Sequence, residues 1–137
     1  MKSLNLKIPS STGVELAATM DRPDGPAKAY AIFAHCFAGS RHTPGASRIS
    51  KRLTEHGIAT VRFDFPGLGQ SKGEFAETSF NQNVDDIVAV AQWMEENYTA
   101  PQLIMGHSLG GAATLKAATR PELKKMIKAV ATVGAPF

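Results

Sequence analysis

Short apolar runs alternate along the chain with longer segments in which apolar residues recur every three or four positions. The short runs are typical of buried strands, and the longer segments are typical of amphipathic helices. The pattern predicts strands at 4–8, 14–20, 29–34, 58–65, 102–105 and 129–133, and helices at about 46–56, 80–98 and 108–119. Alternating strands and helices favour an α/β fold, three-layer α/β/α, with a mostly parallel sheet. Residues 1–137 are predicted to form a single domain, because this length supports one continuous core.

Two details of this pattern are specific enough to test. The first two predicted strands are joined by residues 9–13, which are rich in turn-forming types, so an antiparallel hairpin is expected. In the helix at 80–98, Asp85 and Asp86 are predicted to lie off the apolar stripe. The stripe itself consists of Phe80, Val84, Ile87, Val88, Ala91 and Met94.

The composition is that of an ordinary globular protein, with 43% hydrophobic and 20% charged residues. The net charge of +3 is mild, and its small basic cluster at Lys124, Lys125 and Lys128 is interpreted as the solvated end of a helix. A nucleic-acid surface would need a longer basic stripe, so no nucleic-acid partner is expected. The most apolar stretch, 30–38, is too short to cross a bilayer, and the first residues lack the apolar core of a signal peptide. The single Cys36 cannot form an intrachain disulfide, so a cytoplasmic protein is expected.

The pattern Gly-x-Ser-x-Gly occurs at 106–110, directly between a predicted strand and a predicted helix. A sharp strand–turn–helix connection of this kind exposes the serine hydroxyl above the sheet, which makes Ser108 the candidate nucleophile. A Cβ two residues before or after the serine would crowd the turn, so glycine is expected at Gly106 and Gly110. The N–H of Leu109, at the helix N-terminus, is a candidate donor to an oxyanion. The competing interpretation is a plain tight turn whose serine caps the helix.

The loop after the strand at 29–34 supplies a second set of candidates. An oxyanion hole needs two converging N–H groups, and the expected second donor is the N–H of Phe37. His35 is interpreted as a buried, hydrogen-bonded anchor of this loop rather than as a catalytic base. Cys36 has no evident base or cation to activate it, so it is interpreted as inert packing.

Three stretches resemble the α/β-hydrolase superfamily: His-Cys-Phe-Ala-Gly at 35–39, Asp-Phe-Pro-Gly-Leu-Gly-Gln-Ser at 64–71 and Gly-His-Ser-Leu-Gly-Gly at 106–111. Cys36 and the sequences at 73–80 and 131–137 are similar to bacterial hydrolases often fused to an osmotically-inducible-protein-C-like domain. The resemblance implies strand order 1-2-4-3-5-6 with strand 2 antiparallel. It also implies Ser108 as the nucleophile, Phe37 and Leu109 as oxyanion donors, a small-molecule substrate with an ester-like acyl bond, and no cofactor or metal.

In this family the catalytic acid follows strand 7 and the catalytic histidine follows strand 8, which have no counterpart up to Phe137. The sequence therefore resembles the N-terminal portion of the fold, and little activity is expected of it alone. Among the histidines present, His35 and His107 are the candidates for a supporting role. His42 and His56 are expected to lie farther from the serine, in a loop and at the end of a helix.

The last predicted strand, 129–133, is apolar on both faces and carries no charge or proline. Exposed at the edge of a sheet, such a strand would pair with another chain, so either a homodimer through this edge or aggregation is expected. A non-catalytic domain that binds a partner through the same edge is the alternative function. The glycines at 67, 69 and 73 lack the spacing of a nucleotide-binding loop, so that function is discarded.

Overall fold

The computed structural model describes residues 1–35, 41, 44–65 and 80–133. In these ranges the strands are β1 (Lys2–Pro9), β2 (Glu15–Arg22), β3 (Ala29–Ala34), β4 (Ile58–Phe63), β5 (Leu103–His107) and β6 (Ala129–Val133). The helices are α1 (Pro44–Glu55), α2 (Phe80–Asn97), α3 (Leu109–Ala118) and α4 (Pro121–Lys124). Every predicted strand and helix is present, with some ends shifted by a few residues. The pattern did not predict α4, because four residues are too few to show helical periodicity.

The strands form a sheet in the order β1-β2-β4-β3-β5-β6. β2 pairs antiparallel with β1 and with β4, whereas the pairs β4–β3, β3–β5 and β5–β6 are parallel. These pairings confirm the predicted hairpin and the strand order that the resemblance implies. β6 lies at the outer edge of this sheet, beside β5. That residues 1–137 make up one domain stays a prediction.

Helices lie on both faces of the sheet. A Cβ on Gly106 of β5 would point at α3, whereas the next residue, His107, lines a cavity together with Ala46 and Ile49 of α1. Successive residues of a strand face opposite sides, so α1 and α3 lie on opposite faces of the sheet. α2 packs against α3, and the fold therefore has the predicted three layers.

The core lies between the sheet and these helices. Its largest fully buried side chains include Phe63, Phe65, Ile32, Ile87 and Ile104. The apolar stripe of α2 is buried as predicted from Val84 to Met94, but Phe80, the first residue of the helix, is 40% exposed.

The prediction that Asp86 lies off the buried stripe of α2 was wrong, because its side chain is fully buried. It faces the β1–β2 turn, where Oδ1 accepts hydrogen bonds from Ser11 Oγ (3.5 Å) and Gln82 Nε2 (3.3 Å). Burial raises the pKa of Asp86 from 3.8 to about 6, although these hydrogen bonds oppose the rise. Its Oδ2 is buried and has no hydrogen-bond partner among the described residues.

The interpretation of the basic cluster is confirmed, because Lys124, Lys125 and Lys128 are exposed and Lys124 is the last residue of α4. Within the described ranges, no helix has both the length and the apolar character needed to cross a membrane.

Candidate active site

The connection between β5 and α3 contains an unusual backbone conformation at Ser108. This residue has φ 56° and ψ −123°, and among the described residues it is the only one other than glycine with a positive φ. Such a conformation costs on the order of 1–3 kcal/mol in a residue with a Cβ, and it persists only where the surroundings impose it. Strained residues of this kind cluster at functional sites, so the conformation marks Ser108 as a candidate functional residue.

Hydrogen bonds on both sides hold this strained residue in place. The N–H of Ser108 donates to the carbonyl oxygen of Val133 in β6 (2.8 Å). The carbonyl oxygen of Ser108 accepts from the N–H groups of Gly111 (2.9 Å) and Ala112 (3.2 Å), in the first turn of α3. The serine is thus fixed between the last strand and the helix that follows it.

The two glycines of the motif are required by close contacts with backbone. A Cβ on Gly106 would lie 2.5 Å from the carbonyl oxygen of Gly110 and 2.6 Å from Cα of Gly111. A Cβ on Gly110 would lie 2.5 Å from the carbonyl oxygen of Ala34 and closer still to that of His35, at the end of β3. The predicted crowding at both positions is confirmed, and its cause is the direct contact of α3 with β5 and β3.

The structure does not support the capping interpretation of Ser108. The residue occupies the N-cap position of α3, but among the described residues its side chain makes no capping hydrogen bond. Its φ and ψ also lie outside the extended region that N-cap residues usually adopt. A helix cap alone therefore accounts neither for the strain nor for the paired glycines.

Of the two predicted oxyanion donors, the structure describes the backbone of Leu109 only. Leu109 is the first residue of α3, so its N–H has no carbonyl oxygen one turn earlier in the helix with which to pair. The positive end of the helix dipole adds to the potential at this point. Phe37 lies outside the described residues, as do Cys36 and His42.

His35 occupies the position predicted for it, as a buried anchor at the end of β3. Its side chain is 2% exposed, and its Nε2 accepts a hydrogen bond from the N–H of Phe65 (3.4 Å). Nε2 also lies 3.9 Å from Oδ1 of Asp64, and the imidazole contacts the Phe65 ring edge-on with centroids 5.3 Å apart. The imidazole thus holds the segment after β4 against the end of β3.

The other two histidines in the described ranges are exposed. His107 precedes the serine and lines the cavity of about 260 Å³ between the sheet and α1, together with Phe33, Ile49 and Val133. This cavity lies on the face of the sheet opposite to α3. His56 follows the end of α1.

Sequence reasoning missed a group of buried charges beside β3. Arg41, Arg62, Asp21 and Asp64 are each at most 6% exposed, and they form two arginine–aspartate ion pairs. A signal was available for two of them, because Arg62 and Asp64 interrupt the apolar run predicted as the strand at 58–65. Charged side chains at such positions are rarely buried unless they are paired.

Comparisons with known proteins show which proteins the chain resembles in sequence and fold. The family model described as serine aminopeptidase, S33, matches residues 25–137. The crystal structure of the esterase domain of a Rhodothermus marinus protein is 41% identical, has a TM-score of 0.78 and is matched over 99% of this chain and 51% of that chain. A Xanthomonas campestris protein described as an α/β serine hydrolase without lid is 26% identical, with a TM-score of 0.83, over 99% of this chain and 62% of that chain.

A curated relative adds a further likeness. The mitochondrial palmitoyl-protein thioesterase ABHD10 of Rattus norvegicus is 31% identical over 125 residues, which are 84% of this chain and 39% of that protein. The chain thus spans about two fifths of the length of this relative. The similarity to hydrolases fused to an osmotically-inducible-protein-C-like domain stays a prediction.

Proposed function

Because the chain belongs to the serine aminopeptidase S33 family of α/β-hydrolases, we propose that it carries the nucleophile of an enzyme that hydrolyses ester or thioester acyl bonds. The observation that carries the proposal is Ser108 at φ 56°, held between β5 and α3 with its hydroxyl not used for capping. The esterase and thioesterase named among the similar proteins support acyl esters and thioesters as the substrate class.

The proposed reaction begins when Oγ of Ser108 attacks the carbonyl carbon of the substrate. The hydroxyl proton passes to a general base, and the negative charge moves to the carbonyl oxygen, where the N–H of Leu109 stabilises it. The C–O or C–S bond to the leaving group then breaks, and the leaving group takes up the proton. Water hydrolyses the acyl-serine and regenerates the hydroxyl. Phe37 is proposed as the second donor to the oxyanion.

The base is proposed to be a histidine for which these 137 residues hold no counterpart, since the family places it after a strand beyond β6. The geometry of His35 supports this view, because its Nε2 already accepts the Phe65 N–H and its side chain is buried. His107 lines the cavity on the face of β5 opposite to α3. Loss of a serine–histidine pair costs on the order of 10⁶-fold in turnover in a well-studied protease, so the chain alone is expected to be nearly inactive toward esters.

An external base makes the nucleophile testable in the chain as it is. We expect a fluorophosphonate to attach to the purified chain slowly, and faster as imidazole is added, since imidazole can accept the proton of Ser108. Intact mass should show a single adduct, and peptide mapping should place it on Ser108. Ser108→Ala should abolish the adduct, whereas Ser47→Ala, which changes an exposed serine of α1, should leave it unchanged. An adduct of equal rate in Ser108→Ala would contradict the proposal.

A second candidate function rests on the outer edge of β6. Val130 is 38% exposed and Val133 48% exposed, in a strand that pairs with β5 on one side within the described sheet. A non-catalytic domain that binds a second copy through this edge would form an oligomer that Ser108→Ala does not change. Such an oligomer, combined with no imidazole-dependent adduct on Ser108, would favour the second function.

A cytoplasmic location stays part of the proposal.

A further inference from the structure

The candidate nucleophile is held on one side by an exposed strand. The N–H of Ser108 donates to the carbonyl oxygen of Val133, the last residue of β6 (2.8 Å). The five residues of β6 are exposed or half-buried, and within the described sheet this strand pairs with β5 alone. An edge strand with so little burial opens locally more easily than the strands of the core. When the end of β6 separates from β5, Ser108 loses its hydrogen bond on that side.

The main-chain groups of β6 alternate between the β5 side and the outer edge. The N–H of its first residue (3.1 Å) and the carbonyl oxygen of its last residue (2.8 Å) both bond to residues that flank β5. Because successive residues of a strand direct their main-chain groups to opposite sides, the middle residue, Ala131, also faces β5. Val130 and Thr132 therefore direct their N–H and carbonyl groups outward, where the described sheet has no further strand.

A second copy of β6 fits this outer edge when it runs antiparallel. If Ala131 of one copy lies opposite Ala131 of the other, Val130 faces Thr132 of the second copy, and each such pair exchanges two hydrogen bonds. Both copies then use the same surface, as a two-fold axis requires. Ala131 occupies the non-hydrogen-bonded position, where side chains approach most closely, and its small side chain suits that approach.

The charge beside β6 favours this direction of pairing. Lys128 directly precedes the strand and is exposed. In the antiparallel arrangement the two copies of this lysine are six positions apart, or about 20 Å at roughly 3.4 Å per residue. That distance exceeds the screening length of about 8 Å at physiological salt. A parallel pair in register would instead place the two lysines side by side.

An exposed leucine of α3 lies over the same edge of the sheet. Arg120, just after α3, forms an ion pair with Asp85 of α2, which identifies the side of α3 that faces α2. Leu115 lies five residues earlier, a rotation of about 140° around the helix. It is therefore on the side of α3 turned away from α2, and its side chain is 50% exposed.

The two-fold pairing would also bring α3 of the two copies into contact. α3 packs against both β5 and β6, so its axis lies above the space between these strands. With about 4.8 Å between neighbouring strands, the two helices would lie about 10 Å apart across the axis, at the upper end of the usual spacing of about 8–10 Å. Val130 is three residues from Val133, which lines the cavity on the α1 face, so its exposed side chain lies on the α3 face, beneath Leu115.

We propose that a second copy of this chain docks antiparallel on β6, centred on Ala131 and with Leu115 at the helix contact, and that docking stabilises the conformation of Ser108 through the Val133 carbonyl oxygen. The part that concerns Ser108 rests on the proposed function. The added strand keeps the end of β6 on β5, whereas the monomer leaves that end free to open. Docking thus raises the fraction of chains in which Ser108 is held, and association and reactivity are coupled.

Sedimentation velocity and phosphonylation, measured on the same samples, test this coupling. Between about 1 µM and about 1 mM chain, the mass should rise toward two copies. The rate constant for imidazole-dependent phosphonylation of Ser108 should rise with it, by roughly tenfold. Leu115→Lys and Thr132→Pro should each stay monomeric and keep the slow rate at every concentration. Proline suits position 132, because an edge strand tolerates proline where the N–H faces outward.

Two further variants serve as matched controls. Leu4→Lys changes another exposed leucine, in β1 at the opposite edge of the described sheet, and should associate and react like the unmodified chain. Ala131→Pro removes an N–H that faces β5 and so breaks the inner ladder. This variant should react more slowly than the unmodified monomer, even at the lowest concentration.

Exchange of the Ser108 N–H with deuterium, read by NMR, measures the coupling without reference to reactivity. Exchange should be slower in the dimer than in the monomer, on the order of tenfold, and should not depend on concentration in Leu115→Lys.

Three results would overturn the inference. They are a chain that stays monomeric at about 1 mM, a dimer that survives both Leu115→Lys and Thr132→Pro, and a dimer whose Ser108 exchange and phosphonylation match those of the monomer. If no Ser108 adduct forms at any imidazole concentration, the proposed function fails, and the mass and the Ser108 exchange still decide whether docking holds this residue.

Discussion

Replacing Gly110 by alanine tests the packing that shapes the Ser108 turn. Gly110 lies in the first turn of α3, where alanine would ordinarily be the better residue by up to about 1 kcal/mol. The new Cβ, however, would lie 2.5 Å from the carbonyl oxygen of Ala34 and closer to that of His35. An ordinary contact between heavy atoms is about 3.5 Å, so roughly 1 Å of separation has to be found.

That separation cannot come from a flexible side chain. Both oxygens belong to the backbone at the end of β3, and β3 pairs with β4 on one side and with β5 on the other. Overpacking a rigid site costs about 1–3 kcal/mol and sometimes more, which exceeds the gain in helix propensity. We therefore expect Gly110→Ala to lower the free energy of unfolding by about 2 kcal/mol and to slow phosphonylation of Ser108, because α3 must move away from β3.

The matched control is the same substitution in another helix. Gly45 is the second residue of α1, and a Cβ there would have no atom of the described part of the chain within 4 Å. Gly45→Ala should leave stability unchanged or raise it by up to about 1 kcal/mol. Urea unfolding of the three chains measures both effects. A Gly110→Ala chain as stable as the unmodified one, with Ser108 equally reactive, would refute the packing argument.

Two further predictions concern pH and association. The folded chain keeps the proton of Asp86 up to about pH 6, whereas the unfolded chain releases it above the usual pKa of 3.8. The free energy of unfolding should therefore fall as pH rises from about 4 to about 6, by up to about 3 kcal/mol. Urea unfolding across this range should show that fall in the unmodified chain and in Asp85→Asn but not in Asp86→Asn, and a fall of equal size in Asp86→Asn would assign it to another group. Association through β6 should appear in sedimentation velocity as a mass that rises with concentration and should weaken in Val133→Lys, since lysine blocks edge pairing. A chain that stays monomeric at high concentration would contradict it.

The strands that the sequence pattern predicted best are those whose ends coincide with a change from apolar to polar residues. β3 and β6 have the predicted bounds for this reason. β1 begins at Lys2, earlier than predicted, because Lys2 and Ser3, which are polar and carry no apolar signal, extend the strand by pairing with Arg22 and Asp21. The end of β4 was predicted two residues too late, since Asp64 and Phe65 leave the ladder to contact β2 and His35.

At the candidate site, the sequence predicted what depends on neighbours in the chain. The spacing of Gly106, Ser108 and Gly110 predicted the crowded turn, and at Gly106 the crowding arises within one strand–turn–helix unit, whereas at Gly110 it comes from the end of β3. The ion pair of Arg41 and Asp64 could not be predicted in the same way, since the two residues are 23 apart in the sequence and meet only after β3 and β4 have paired. The burial of Asp86 likewise depends on the β1–β2 turn, 75 residues away along the chain.

The central claim is that Ser108 is a nucleophile placed beside an oxyanion donor, and a crystal structure of the phosphonate adduct tests it most directly. We predict a covalent bond from Oγ of Ser108 to phosphorus, with the phosphonyl oxygen about 2.7–3.1 Å from the N atom of Leu109. An adduct on another residue, or one on Ser108 whose phosphonyl oxygen points away from the start of α3, would contradict the account.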